Sequence, residues 1–550
     1  MSKKVLIVGG VAGGASAAAR LRRLNEDMKI IIFERGEHIS YANCGLPYYV
    51  SGVIAERDAL LVQTPESMKS RFGIEVRNFS EVTRIFPEEK VIEVQEANGK
   101  VYRESYDQLI LSPGAAPVRP PIPGINDVET LVVRNVTDID RIKHAVDVLQ
   151  PKTAAVVGGG FIGLEMAENL HAKGVATTII EMSDQVMAPL DFEMAAILHD
   201  HIFNKGLNLI LGDGVKSFAK KDDKTIITLQ SGEEVEADLT IMAIGVKPEI
   251  KLAKEAGLSI GELGGIKVNE RLQTSDPNIY AVGDAIEVKH LVTGQPALLP
   301  LAGPANKQGR IVADIISGRD SKYNGTQGTS IAKVFDLAAA STGANEKMLK
   351  KLGIPYEVSF THSASNAQYY PGSTRLSFKL LFDKRDGRVL GAQVVGAQGA
   401  DKRIDDIAGV IRRGGTIYDL QELELAYAPP YSSAKDPVNM AGYVAENIIN
   451  GDVEMVQWYD VQKMNPKEIC IIDVRTIEER KGKFILGSLH IPIDELRDHL
   501  SELPKDKDIV VYCEIGLRGY LAYRILKQHG FTQVRDLAGG WVTYYPAVFG

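Results

Sequence analysis

The stretch Thr153-Ala154-Ala155-Val156-Val157-Gly158-Gly159-Gly160-Phe161-Ile162-Gly163 decides the fold. An apolar five-residue strand runs into G-x-G-x-x-G, and Leu164–Lys173 follows with a helical pattern. A second apolar run, 176–180, ends in Glu181. This is a βαβ unit: Gly158 permits the tight turn, Gly160 lets the backbone approach a pyrophosphate, and Gly163 brings helix and strand together. Phe161 and Ile162 occupy the variable positions of the turn. The phosphates belong on the helix N-terminus and the acid at 181 on a ribose hydroxyl. Glu181 therefore favours the free 2′-OH of NADH and leaves NADPH as the second choice. Gly245 is assigned to the same site.

An imperfect copy opens the chain. Residues 4–8 form a strand, Gly9-Gly10-Val11-Ala12-Gly13-Gly14 the turn, 15–24 a helix, and 29–33 a strand closing on Glu34 and Arg35. Val11 stands where the pattern wants glycine, but the acid falls about 20 residues on, as a ribose contact requires. Two more strand-and-turn segments belong with this copy: Leu109-Ile110-Leu111-Ser112-Pro113-Gly114 and Ile279-Tyr280-Ala281-Val282-Gly283-Asp284. The second returns after the intact unit, so one dinucleotide domain is interrupted by another. Asp284 is placed to meet a ribitol hydroxyl.

The chain of 550 residues exceeds one hydrophobic core and implies roughly three or four domains. Its net charge of −8 argues against nucleic acid as a partner, because phosphate contacts need a basic face. Three cysteines make no disulfide framework and fit a reducing compartment. The basic start followed by VLIVGGVAGGASAAA imitates a secretory leader. It reads instead as a strand and its turn, in a cytoplasmic protein with no membrane partner. No metal-ligand spacing is present.

One cysteine lies in Ser40-Tyr41-Ala42-Asn43-Cys44-Gly45-Leu46-Pro47-Tyr48-Tyr49. Pro47 suits the first turn of a helix. A thiol at that point faces the positive end of the helix dipole, which lowers its pKa toward the thiolate. With no second cysteine nearby, Cys44 must cycle through a mixed disulfide, a persulfide or a sulfenic acid.

Residues 329–450 carry mixed strands and helices with two aromatic windows, Gln368-Tyr369-Tyr370-Pro371-Gly372 and Tyr427-Ala428-Pro429-Pro430-Tyr431-Ser432-Ser433-Ala434-Lys435. Residues 451–465 read as a linker. From Pro466 a new α/β domain runs to 550, and its strand 509–512 delivers Cys513-Glu514-Ile515-Gly516-Leu517-Arg518. At such a strand-to-helix turn, backbone N–H groups and Arg518 favour a thiolate or persulfide anion. Cys470, within an apolar strand, reads as structural.

The four dinucleotide segments, in this order over about 320 residues, resemble the flavoprotein pyridine-nucleotide disulfide oxidoreductases. That resemblance implies an α/β chain with two Rossmann-like domains, 1–150 with 251–328 for FAD and 151–250 for NAD(P)H. It also implies an α+β dimerisation domain at 329–450, hence a homodimer. Asp473-Val474-Arg475, Gly487-Ser488-Leu489-His490-Ile491-Pro492, the 513–518 loop and Ala538-Gly539-Gly540-Trp541 resemble a rhodanese domain at 466–550, which handles sulfane sulfur.

The Cys44 window, the variant first turn and the 427–437 segment resemble coenzyme A-disulfide reductases. What this implies is NADH-driven reduction of coenzyme A disulfide, persulfide or polysulfide through FAD and Cys44. Ser16, Arg20, Arg23, Ser40, Asn43 and Lys435 then lie near coenzyme A. Tyr369 and Tyr427, donated across the dimer, supply a proton or brace the flavin side. The rival is an NADH oxidase or peroxidase that holds its cysteine as sulfenic acid. Enzymes of that type carry a histidine just before the Gly-Gly pair, and this chain has Ala12 there.

Overall fold

The computed structural model describes residues 3–550 and divides into two compact units, 3–183 with 207–328 and 184–206 with 329–550. In the first unit, a five-stranded parallel sheet runs Ile279–Ala281, Gln108–Leu111, Lys4–Val8, Lys29–Phe33, Glu75–Arg77. Its strands are apolar on both faces, as a doubly covered parallel sheet demands, and Leu6, Ile7, Ile31 and Ile110 are fully buried. The outermost strand comes from beyond residue 270, so the interrupting segment is an insertion between neighbours in one sheet. That segment builds its own parallel sheet, Asn208–Ile210, Ala176–Ile180, Thr153–Val157, Leu239–Met242.

Both glycine turns put the chain outside the range of other residues. Gly9 has φ +94°, and a Cβ there would fall 2.1 Å from the Ser112 carbonyl oxygen. Gly14 and Gly163 repeat one contact: an added Cβ would lie 2.0 Å from Gly9 O and 1.9 Å from Gly158 O, respectively. Val11 is the N-cap of the helix Ala12–Leu24, with φ −94°, so the turn does not need glycine there. That helix and Phe161–Ala172 start without a side-chain cap, whereas Thr64, Asn135 and Asn345 cap others in the chain. The two uncapped first turns keep their N–H groups available to an anion.

The second unit holds a five-stranded antiparallel sheet, Ser330–Val334, Leu337–Gly343, Val389–Gly396, Arg375–Phe382, Glu357–Ala364. The helix Phe192–Asn204 packs here, although its sequence position suggests the nucleotide insertion. The reason is electrostatic. Lys379, fully buried, holds Asp191 at 2.9 Å, Glu193 at 2.5 Å and Glu346 at 2.6 Å. Those three carboxylates have the spacing of a cation site, and the lysine ammonium is their cation.

A five-stranded parallel sheet completes this unit: Met455–Val456, Val534–Leu537, Asp508–Tyr512, Ile469–Asp473, Leu489–His490. Its first strand lies inside the segment expected to be a linker. Trp458 Nε1 donates to Glu193 at 3.3 Å and Tyr459 OH to Glu346 at 2.9 Å. Residues 451–465 are therefore packed structure and not a free tether, because two aromatic residues satisfy carboxylates of the Lys379 cluster.

Candidate active site

Gly9, Ala12, Glu34, Arg35, Pro113, Gly114, Gly283 and Asp284 line a cleft of about 520 Å³, joined by Tyr41, Asn43 and Arg134. Glu34 accepts the Gly10 N–H at 3.1 Å and the Gly36 N–H at 3.0 Å, which fixes its carboxylate at the mouth of the turn. Burial pushes the Asp284 carboxyl up, against the opposing pull of Arg134. On the opposite wall Glu249 joins Arg35 and Arg134, each at 3.0 Å. Arg134 and Glu249 carry no local motif and were not legible in the sequence.

Around the second turn, Gly160 and Gly245 have open space where a Cβ would stand, and Gly245 has φ +108°. Glu181 accepts the Gly159 N–H at 2.7 Å and the Ser183 N–H at 2.8 Å. Its carboxylate is thus held at the strand end beside the helix start. Phe161 and Ile162 are half-buried in the first turn of that helix. A dinucleotide fits both cradles on these grounds: strained glycines, uncapped helix starts and an oriented acid at each.

Cys44 is exposed, in a 3₁₀ turn that leads into the six-residue helix Leu46–Ser51. The expected lowering of its pKa is not found. Partial burial pushes the thiol up, and the carboxylates of Glu165 and Asp284 add to it. A helix of less than two turns offers little dipole against two acids. The helix packs on Phe161–Ala172, where Tyr48 OH reaches Glu165 Oε1 at 3.4 Å. Burial raises Glu165 to about 7, opposed by the Tyr48 hydrogen bond and helped by Glu168. Glu165 was missed in the sequence; its signal was an acid two residues past the last glycine, on a helix with an apolar inner face.

Ser40 takes φ +45° and its N–H donates to Gly10 O at 2.8 Å, so it ties the Cys44 loop to the first glycine turn. Asn43 is exposed at the cleft. Ser16 donates to Asn306 Oδ1 at 2.5 Å, and Arg20 pairs with Asp314 at 2.8 Å, both across to the helix Ala302–Ile316. Arg20 thus has its charge engaged, while Arg23 is exposed at the far end of the same helix. In the second unit Tyr369 and Tyr427 are exposed with their hydroxyls 3.2 Å apart, a bond that raises the Tyr369 phenol. Lys435 is exposed in the loop that ends at Asp436.

Cys513 is fully buried at the end of Asp508–Tyr512, with the Gly516 N–H donating to its Sγ at 3.1 Å. Burial and Asp536 push this thiol up, against the N–H groups of Gly519, Ile515 and Gly516, so the loop's anion-holding effect does not win outright. Arg518 touches Cys513 but is also held by Glu479 at 2.7 and 2.6 Å, a partner the sequence did not suggest. The other motifs of this module brace the loop. Buried Arg475 grips Asp473 at 2.9 Å and lies 4.8 Å over the Trp541 ring, and the Trp541 N–H donates to Cys513 O at 2.8 Å. Cys470 is buried in its strand.

Residues 3–309 match the model of the pyridine nucleotide-disulphide oxidoreductases. The chain belongs to this family. Its members work with FAD and NAD(H), in accord with the two dinucleotide cradles. Residues 329–437 match the family's dimerisation domain and 455–547 the rhodanese-like domain, which takes in the strand Met455–Val456. A coenzyme A disulfide reductase of Staphylococcus haemolyticus is 36% identical over 449 residues, 81% of this chain and 100% of that one. The structure of reduced Bacillus anthracis CoADR-RHD is 53% identical with a TM-score of 0.97, covering 100% of this chain and 98% of that one. An NAD-dependent persulfide reductase from A. fulgidus is 40% identical with a TM-score of 0.93, covering 98% and 100%. This oxidoreductase thus aligns along 100% and 98% of its length with these two solved structures. Among the described residues no helix is long and apolar enough to cross a membrane.

Proposed function

We propose that this chain is an NADH-dependent enzyme that reduces coenzyme A disulfide and coenzyme A persulfide through Cys44, as a cytoplasmic homodimer, with NADPH as the poorer donor. The observation that carries the reading is Cys44 itself: exposed, unpaired, and seated between the first glycine turn and the helix of the second. The names of its full-length relatives agree with it.

Gly9, Gly10, Gly14, Glu34, Arg35, Pro113, Gly114 and Asp284 would hold FAD; Gly158, Gly160, Gly163, Glu181 and Gly245 the nicotinamide nucleotide. FAD supplies the passage of two electrons from NADH to sulfur. The Cys44 thiolate attacks the coenzyme A sulfur of CoA–S–SH: the Cys44–S bond to that sulfur forms, the S–S bond breaks, and HS⁻ leaves with its electron pair. Two electrons then divide Cys44–S–S–CoA into two thiolates, and NADH leaves as NAD⁺ and a proton. Ser16, Arg20, Arg23, Ser40, Asn43 and Lys435 are assigned to coenzyme A, and Arg20 must exchange Asp314 for substrate to take part. Tyr369 and Tyr427 of the opposite subunit donate the proton to the leaving thiol. Cys513 accepts and returns sulfane sulfur.

The deciding experiment compares kcat/KM for coenzyme A disulfide, coenzyme A persulfide and polysulfide with NADH, in wild type and Cys44→Ser. The variant should bind FAD and pass electrons to artificial acceptors while losing disulfide reduction. Turnover of coenzyme A disulfide by Cys44→Ser defeats the assignment.

A further inference from the structure

Asp536 is a buried acid that nothing in the proposed chemistry uses. It lies on Val534–Leu537 in register with Val511 of the neighbouring parallel strand. Side chains alternate along a strand, so Asp536, Val511 and Cys513 share one face of the sheet. The helix Leu517–Gln528 covers that face. Its Gly519 packs so tightly on the acid that an added Cβ would lie 2.2 Å from Asp536 Oδ1. The N–H of the same Gly519 helps hold the Cys513 sulfur. Sulfur and carboxyl are therefore lodged against one glycine, at the start of one helix.

The acid is 1% exposed, and neither of its oxygens has a hydrogen-bond partner among the described residues. Buried polar groups left so are uncommon, and a carboxylate left so is costly. The charged groups around it are engaged elsewhere. On the helix, Arg518 pairs with Glu479 and Arg524 with Asp452; on the strand, Arg535 pairs with Asp508; beyond the loop, Arg475 pairs with Glu514. Among the described residues no cation faces Asp536, and burial alone drives its carboxyl far above the usual range. The sulfur, by contrast, has three backbone N–H donors and Arg518.

Two anions cannot both form on one dry face without donors for each. We propose that Asp536 is a positioning residue for Cys513: a carboxylic acid that keeps its proton, so that the single negative charge this face accepts resides on the sulfur. This rests on Cys513 being the sulfur-carrying thiol. Sulfur and carboxyl then titrate as a coupled pair: the Asp536 charge that would push the thiol up is withheld while the acid keeps its proton, so the first proton leaves the sulfur and the second, at higher pH, the acid.

The test is the rate of Cys513 alkylation by iodoacetamide from pH 5 to 10 on the FAD-loaded full chain, read by peptide mass spectrometry. In wild type the rate should rise in two steps. Asp536→Asn, which mimics the neutral acid, should match wild type within about twofold at pH 7 and lack the upper step. A variant about tenfold faster at pH 7 means the acid is charged beside the sulfur and overturns the proposal. Superimposable profiles overturn it as well, since a purely structural acid leaves no mark on the titration. If Asp536→Asn does not fold, the wild-type profile decides alone: a single step sinks the idea. The sulfur-carrier role is judged apart, by sulfane-sulfur transfer in Cys513→Ser.

Discussion

Tyr48 OH stands 3.4 Å from Glu165 Oε1, which joins the helix after Cys44 to the helix that begins the second dinucleotide turn. Glu165, raised by burial to about 7, also adds to the raising of the Cys44 thiol. The charge state of the helix Phe161–Ala172 is therefore sensed by the thiol in the turn before Leu46–Ser51. Below about pH 7 Glu165 is neutral and the thiol is relieved of it; above, the carboxylate opposes thiolate formation.

Glu165→Gln should thus speed Cys44 alkylation at pH 8 by about threefold to tenfold, since one pKa unit is about 1.4 kcal/mol or tenfold. At pH 5.5 the two proteins should react alike. Equal rates at pH 8, measured with iodoacetamide and peptide mass spectrometry, would show that Glu165 does not act on the sulfur.

Glu181 bears on cofactor choice. Its carboxylate is fixed by the Gly159 and Ser183 N–H groups at the strand end, where the proposed NADH site would bring the ribose 2′ substituent. The kcat/KM for NADH should exceed that for NADPH by at least about tenfold, near 1.4 kcal/mol in the transition state. Glu181→Ala should narrow the ratio, mostly by improving NADPH. A wild-type preference for NADPH refutes the role given to Glu181.

Lys379 is the place to test stability. Its loss leaves three buried carboxylates without their shared cation, Glu346 alone keeping Lys350, and breaking a buried ion cluster costs about 3–5 kcal/mol. Lys379→Met should therefore unfold at markedly lower urea at pH 7. Burial opposes it, yet Lys379 and Lys350 hold Glu346 down at about 2. An acid lowered in the folded state stabilises above its unfolded pKa of about 4.3, and that contribution is lost as pH falls toward 2. The gap between wild type and variant should shrink on acidification. A gap independent of pH means the cluster is not what the lysine stabilises.

The same cluster explains where sequence reading stopped. The strands 4–8, 29–33, 153–157 and 176–180 end where their short buried apolar runs end, and the structure returns those limits. Local pattern and tertiary burial agree there. The helix Phe192–Asn204 and residues 451–465 gave no such agreement, because their placement depends on Glu193, Trp458 and Tyr459 meeting partners far along the chain. The site divided similarly. Glycine turns, Cys44 and Cys513 announce themselves by local residue type. Glu165, Arg134, Glu249 and Glu479 enter only through folding, and they are the charges that set the two thiols and the cleft wall. The expected lowering of the Cys44 pKa failed for that reason: the dipole was visible in sequence and the opposing Glu165 was not.

The last prediction concerns the two reactive cysteines. The segment 451–465 packs on the Lys379 cluster, so Cys513 does not roam on a flexible tether. Coenzyme A, with a thiol on a long arm, has the chemistry to carry sulfur between the modules. Cys513→Ser should leave NADH-driven reduction of coenzyme A disulfide within about twofold of wild type, because Cys44, Tyr48 and Glu165 all lie in the other unit. Sulfide release from a sulfane-sulfur donor such as polysulfide should fall by tenfold or more and should depend on added coenzyme A in wild type. The two assays run side by side on one preparation separate this from a module that only stabilises the reductase. Equal loss of both activities, or loss of neither, defeats the relay, and sulfide release that is indifferent to coenzyme A defeats the carrier.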